Sequence, residues 1–219
     1  MSIIKVGIIG YGYWGTNLVR NFFGTDYCTL AIVADGRPER LAVLSKNFPS
    51  INRVTTAEEI INDRTTDAVV IATPVSTHYQ LAKKALLNGK HVLIEKPMTS
   101  SPEEADELIN LAEQKGLTLM VDHTFLYTGA VQKMKELIQS QTIGTLQYFD
   151  SSRINLGLFQ SDVNVLWDLA PHDISILTYL INELPVSINA TGISHTRNHI
   201  ENIAYMTVNY DWDFIAHFN

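Results

Sequence analysis

The apolar positions of the first half of the chain fall in short runs separated by amphipathic stretches. Ile3 to Ile9 reads as a buried strand, and Leu18, Val19, Phe22 and Phe23 then mark one face of a helix. Thr29 to Ala34 predicts a second strand. Pro38 to Phe48 predicts a helix with Leu41, Leu44 and Phe48 on one side. After a short strand near Val54, the capping-box pair Thr56 and Glu59 opens a short helix. Ala68 to Ala72 is another apolar strand, Tyr79 to Leu87 another helix stopped by Gly89, and His91 to Ile94 the next strand. Ser101, Pro102 and Glu104 supply an N-cap, a proline at the first helical position and a capping box, so a helix runs from there to about Lys115 and ends at Gly116. Leu117 to Val121 is a sixth strand. Strands that are apolar on both faces and alternate with helices predict a parallel sheet covered on both sides. The first domain is therefore expected to be an α/β Rossmann domain, a doubly wound parallel sheet, over residues 1–122.

The second half has a different rhythm. Ala130 to Ser140 predicts a helix, Gly144 to Arg153 a strand, Leu156 to Val165 a loop and Trp167 to Ile181 a helix. Strand-like text follows at Ser187 to Ile193, at Ile203 to Asn209 and from Asp211 onward, where Trp212, Phe214, Ala216 and Phe218 alternate with Asp213, Ile215 and His217. Consecutive strands after a helix predict an α+β domain with a mostly antiparallel open sheet over 123–219. The text stops at Asn219 inside a strand pattern, so this domain is expected to be incomplete.

Composition narrows the class. With 46% hydrophobic and 18% charged residues in 219, a packed core is within reach. The net charge of −7 argues against binding a phosphate backbone, which needs clustered Lys and Arg. The single cysteine rules out an intrachain disulfide. With an N-terminus unlike a signal peptide, it points to the cytoplasm, and no apolar run approaches the roughly 18 residues that span a membrane.

Gly10-Tyr11-Gly12-Tyr13-Trp14-Gly15 matches G-x-G-x-x-G, directly after a strand and at the opening of a helix. In that setting Gly10 permits the tight turn, Gly12 lets the backbone approach a pyrophosphate and Gly15 lets the helix pack on the sheet. The free N–H groups of the helix start suit phosphates. Asp35 ends the second strand, where a carboxylate can accept from the adenosine ribose hydroxyls and favour NAD. Arg37 leaves NADP open, because a guanidinium there can pair with a 2′-phosphate or stack on adenine.

Taken together, the glycine loop, Thr73-Pro74, His78, the stretch from Gly89 to Pro97 with its Glu95-Lys96-Pro97, and Asp168 to Asp173 resemble the Gfo/Idh/MocA oxidoreductases over essentially the whole chain. The resemblance implies a Rossmann domain followed by an α+β domain whose open sheet forms subunit contacts in a homo-oligomer. It also implies hydride transfer between NAD or NADP and a hydroxyl or keto carbon of a sugar, an inositol or a nucleotide-sugar. A nucleotide-sugar dehydrogenase of surface-polysaccharide synthesis is the sharper expectation, from the segment between Val165 and Leu177. An inositol or free-sugar dehydrogenase stands beside it, as does a catalytically inactive cofactor-binding protein. Members usually run on by roughly another hundred residues.

Hydride transfer from a carbinol needs a base for the hydroxyl proton. Lys96, just past the end of a sheet strand, is where open α/β sheets place their ligands, and the resemblance makes it the catalytic lysine. Asp168 and His172 are four apart and similar to the family's second-domain catalytic segment. His172 is expected as the second acid/base, and Asp168 as its support or a substrate ligand. Pro171 points to a helix start at that residue, which leaves Asp168 in the preceding turn. By the same resemblance Tyr11, Trp14, Thr73, Pro74, His78 and Glu95 lie around the cofactor, although a capping or packing role for His78 stands equally open. His123 either borders the nicotinamide or is structural. Arg153 either holds an anionic group of the substrate or makes a surface salt bridge. His195 and His199 are four apart but lack a third ligand in a metal-binding frame, so no metal is expected.

Overall fold

The computed structural model describes residues 3–154, 163–197 and 199–219. Two compact units, Met1–Asp122 and His123–Asn219, divide the chain.

In the first unit, β1 (Ile4–Ile9) leads into α1 (Tyr13–Phe23), β2 (Cys28–Ala34), α2 (Pro38–Asn47), β3 (Asn52–Val54), α3 (Ala57–Ile61), β4 (Ala68–Ile71), α4 (Val75–Leu87), β5 (His91–Ile94), α5 (Pro102–Lys115) and β6 (Leu119–Val121). The strands lie in the order β3-β2-β1-β4-β5-β6, with every pair parallel. The order reverses between β1 and β4, the place where doubly wound sheets bind nucleotides. One apolar layer, with Ile60, Ile71, Leu86, Ile94 and Leu108 fully buried, covers one side of the sheet. A second, built on Ile8, Val19, Val33 and Leu44, covers the other. The capping signals place the helices. Ser101 accepts from the Glu104 N–H at 3.3 Å, Pro102 opens α5, and Gly116 closes it in the left-handed region at φ 63°.

In the second unit a 3-10 turn (Thr124–Tyr127) precedes α6 (Gly129–Gln139), β7 (Tyr148–Ser151), α7 (Val165–Ile181), β8 (Ser187–Ile193), β9 (Ile203–Asn209) and β10 (Ile215–Phe218). The sheet runs β7-β10-β9-β8. β9 is antiparallel to both its neighbours, and β10 is parallel to β7. Leu177 of α7 packs against Met206, Val208, Ala216 and Phe218. The opposite face carries Tyr148, Ile193, Ile203, Tyr205 and Ile215, all exposed.

Three expectations change. The predicted strand Gly144 to Arg153 shortens to β7. The last strand begins at Ile215, while Trp212 and Phe214 before it stack on each other at 4.5 Å rather than extending the ladder. The helix expected to start at Pro171 starts two turns earlier, because Asn164 caps it through a bond from the Trp167 N–H at 2.8 Å. Pro171 is thus a helix-interior proline, and Asp168 lies in the first turn. Most of the expected loop from Leu156 to Val165 lies outside the described residues.

Candidate functional site

The glycine loop closes because two of its glycines have no room for a side chain. Gly10 adopts φ +100°, and a Cβ on it would lie 2.5 Å from the Ala72 carbonyl oxygen at the end of β4. A Cβ on Gly15 would lie 2.0 Å from the carbonyl oxygen of Gly10. Gly12 is different: a Cβ there would meet only an Arg37 guanidinium nitrogen, at 3.7 Å. Its space is left to whatever lies on the loop. No acidic residue occupies the first turn of α1, so the positive end of that helix is not offset.

Asp35 and Arg37 do not stand apart as two alternative ligands; they are bonded to each other. The Arg37 Nε–H and Nη2–H donate to the two Asp35 oxygens at 2.9 and 2.8 Å. The Tyr11 N–H donates to the same carboxylate at 2.8 Å, and the Arg37 N–H at 2.9 Å. Burial pushes the Asp35 carboxyl up, but the Arg37 guanidinium and these two N–H groups outweigh it and hold it below the usual carboxylate range. The Arg37 side chain remains half exposed. Tyr11, placed above among the cofactor residues, has its side chain in the core at 2% exposure and its N–H on Asp35. That bond ties the loop to the end of β2. Trp14 is half exposed and edge-on to Tyr13, with ring centroids 5.4 Å apart.

At the ends of β4 and β5, Pro74 caps α4, and the Thr73 and Thr77 hydroxyls lie 2.7 Å apart. His78, in the first turn of α4, is 1% exposed. Its Nδ1 lies 2.9 Å from the Pro97 carbonyl oxygen and its Nε2 2.8 Å from that of Thr73. Between the two roles left open for this residue, the geometry favours packing over a cofactor contact. Lys96 is half buried on the turn after β5, and the Lys96–Pro97 peptide is cis. Beside it, Glu95 is hydrogen-bonded to Asp122, which follows β6. Burial, then the Asp122 carboxylate and the hydrogen bond to it, push the Glu95 carboxyl up to about 7, against the opposing pull of Lys96. Asp122 had no place among the sequence candidates. The signal was there in the sheet register: Ile94 of β5 pairs with Val121 of β6, so the next residues of two parallel strands come out side by side.

In the second unit His172 is 9% exposed, one turn after Asp168 on α7. Its ring stands edge-on to Phe125 at 4.8 Å. The Arg153 guanidinium lies over the same Phe125 ring, 5.0 Å from its centroid. Arg153 donates to both oxygens of Asp173 at 2.7 and 2.8 Å. The expected ion pair is there, and it is part-buried rather than on the surface. His123 is half buried and precedes the 3-10 turn, its carbonyl accepting from the Leu126 N–H at 3.1 Å. His195 and His199 lie between β8 and β9. Among the described residues, no three His, Cys, Asp or Glu side chains group so as to hold a metal.

The chain belongs to the Gfo/Idh/MocA oxidoreductases. The family model described as "Oxidoreductase family, NAD-binding Rossmann fold" matches residues 4–123, and the "GFO/IDH/MocA C-terminal domain" matches residues 131–219. Its relatives include the UDP-N-acetylglucosamine 3-dehydrogenase of Acidithiobacillus ferrooxidans. That protein is 31% identical over 216 residues, which are 95% of this chain and 64% of the relative. The scyllo-inositol 2-dehydrogenase (NADP(+)) of Bacillus subtilis is 28% identical over 225 residues, 97% of this chain and 61% of the relative. GenD2 of gentamicin A biosynthesis, solved in complex with NAD, superposes with a TM-score of 0.91 at 21% identity, over 100% of this chain and 65% of its own. This chain spans about three-fifths of the length of such relatives. Residues 4–123 thus form an NAD-binding Rossmann fold. Among the described residues, no helix is long and apolar enough to cross a membrane.

Proposed function

We propose that this protein transfers a hydride between NAD and a hydroxyl or keto carbon of a sugar carried on a nucleotide. The observation that carries the reading is the half-buried Lys96, on a turn held by main-chain and side-chain bonds at the C-terminal edge of the NAD-binding sheet. The identity to a UDP-N-acetylglucosamine 3-dehydrogenase supports the nucleotide-sugar. Bound NAD supplies the hydride acceptor. Gly12 and the open start of α1 hold its pyrophosphate, Asp35 and Arg37 meet the adenosine ribose, and Trp14, Thr73, Pro74 and Glu95 line the remaining path. Lys96 Nζ takes the hydroxyl proton as the carbon–hydrogen bond breaks, and returns it in the reverse direction. His172 is the second acid/base, Asp168 one turn earlier supports it or binds substrate, and His123 borders the substrate. The exposed apolar face of the second sheet takes a second copy of the chain. An inositol or free sugar is the competing substrate class, supported by the inositol dehydrogenase at 28% identity.

Nicotinamide fluorescence of the protein titrated with NADH and with NADPH, followed by turnover on UDP-N-acetylglucosamine and on inositols, tests this reading. Lys96→Ala is expected to lower turnover by at least about a hundredfold while NADH affinity stays within about threefold. Unchanged turnover removes Lys96 from the mechanism, and turnover only on inositols replaces the nucleotide-sugar.

A further inference from the structure

His78 is nine-tenths buried by a wide margin, and each of its ring nitrogens faces an oxygen that can only accept. The Thr73 carbonyl lies 2.8 Å from Nε2 and the Pro97 carbonyl 2.9 Å from Nδ1. A neutral imidazole carries one N–H. In that form one nitrogen donates and the other sets a lone pair against a carbonyl lone pair at hydrogen-bond distance, which is repulsive. Only the imidazolium donates to both oxygens, and charge-assisted bonds of this kind are the short, strong ones.

We propose that His78 is a doubly donating imidazolium that clamps the turn carrying Lys96 and Pro97 to the turn carrying Thr73 and Pro74, and so acts as a positioning residue for the site. The two carbonyls lie past adjacent parallel strands, β4 and β5, whose ladder stops at Ile71 and Ile94. The ring continues the pairing where the backbone ladder ends. The charged groups on the elements packed around the clamp are mostly paired with one another. On the Pro97 turn are Glu95 and Lys96, and the Glu95–Asp122 pair holds negative charge on that side. On α4 itself Tyr79 and Lys83 are tied to Glu107 of α5, and Lys84 is tied to Glu58 of α3. The Thr73 side brings only hydroxyls, those of Thr73 and Thr77.

The charge state is read without substrate, on the whole chain, by nitrogen-15 NMR of the histidine rings. An ordinary histidine, with a pKa near about 6.5, is mostly neutral at about pH 8. The His78 ring is expected to keep protons on both nitrogens there. A neutral tautomer, with one nitrogen unprotonated, overturns the proposal. The signal is assigned by its loss in His78→Gln and, independently of whether that variant folds, by through-bond correlation to the α4 backbone.

The positioning role depends on the proposed function, and NADH affinity reads it separately. A glutamine cannot reach both carbonyls, so His78→Gln is expected to bind NADH about tenfold more weakly. Affinity equal to the parent's removes the positioning role. If the parent itself binds neither NADH nor NADPH, the function reading fails, while the ring signature still decides the clamp.

Discussion

At the scale of the residue, the site is built from groups that hold one another before any ligand arrives. The place of Asp35 at the end of β2 was legible, because an acid at that distance from a glycine loop is part of a motif with a mechanism. Its bidentate bond to Arg37 was not, because that bond depends on side-chain rotamers that spacing along the chain does not fix. Glu95 carries a measurable consequence. The folded protein holds a proton on Glu95 up to about pH 7, whereas the unfolded chain releases it near the ordinary 4.5. The stabilisation is thus fully present below the unfolded value and is lost as pH rises through the folded one. Thermal melting between about pH 5 and about pH 8 is expected to show a fall in Tm that Glu95→Gln largely removes. A parallel pH dependence in the variant would place the titration elsewhere.

At the scale of the element, capping chemistry was the most legible signal. Ser101, Pro102 and Gly116 do in α5 what their residue types dictate, since each acts within one turn and needs no tertiary partner. Pro171 misled for the complementary reason. A proline argues for a helix start by removing one N–H, but Asn164 caps the chain earlier, and the buried Ala170, Ile176, Leu177 and Leu180 of α7 carry the helix across the gap. The missing donor still has a cost. Pro171→Ala is expected to stabilise the protein by about 1–3 kcal/mol, read as a higher urea midpoint with an unchanged slope. A lower midpoint would mean that the proline ring itself fills space the helix needs. Alternation predicts a strand from Asp211 onward, yet only Ile215–Phe218 is in the ladder; before it the rings of Trp212 and Phe214 stack on each other.

At the scale of the whole molecule, periodicity gave the division into a parallel α/β sheet and a mostly antiparallel one, because the two kinds of sheet bury their strands differently. The order β3-β2-β1-β4-β5-β6 does not follow from periodicity, which marks strands without saying which of them are neighbours. The open face of the second sheet has a consequence at this scale. Tyr148, Tyr205 and Ile215 present an apolar surface of the kind that marks association. Light scattering of the eluting protein is expected to give more than one copy, and Tyr205→Lys to shift it toward the monomer. A monomeric parent would free that face for another role.

The order of strands in this second sheet also bears on how the protein is made. β7 lies at the edge and pairs with β10, while β10 takes the interior place between it and β9. A ribosome delivering the chain from its N-terminus releases Tyr148–Ser151 well before Ile215–Phe218. At synthesis rates of about 5–20 residues per second, the first strand waits several seconds for its neighbour. Throughout that interval β7 lacks the strand it pairs with, whereas the NAD-binding sheet, whose strands all come earlier, is already complete. The cofactor-binding half is therefore the first part of the chain that can be folded, and the first able to hold its ligand, while the other half is still waiting for the strand that joins it.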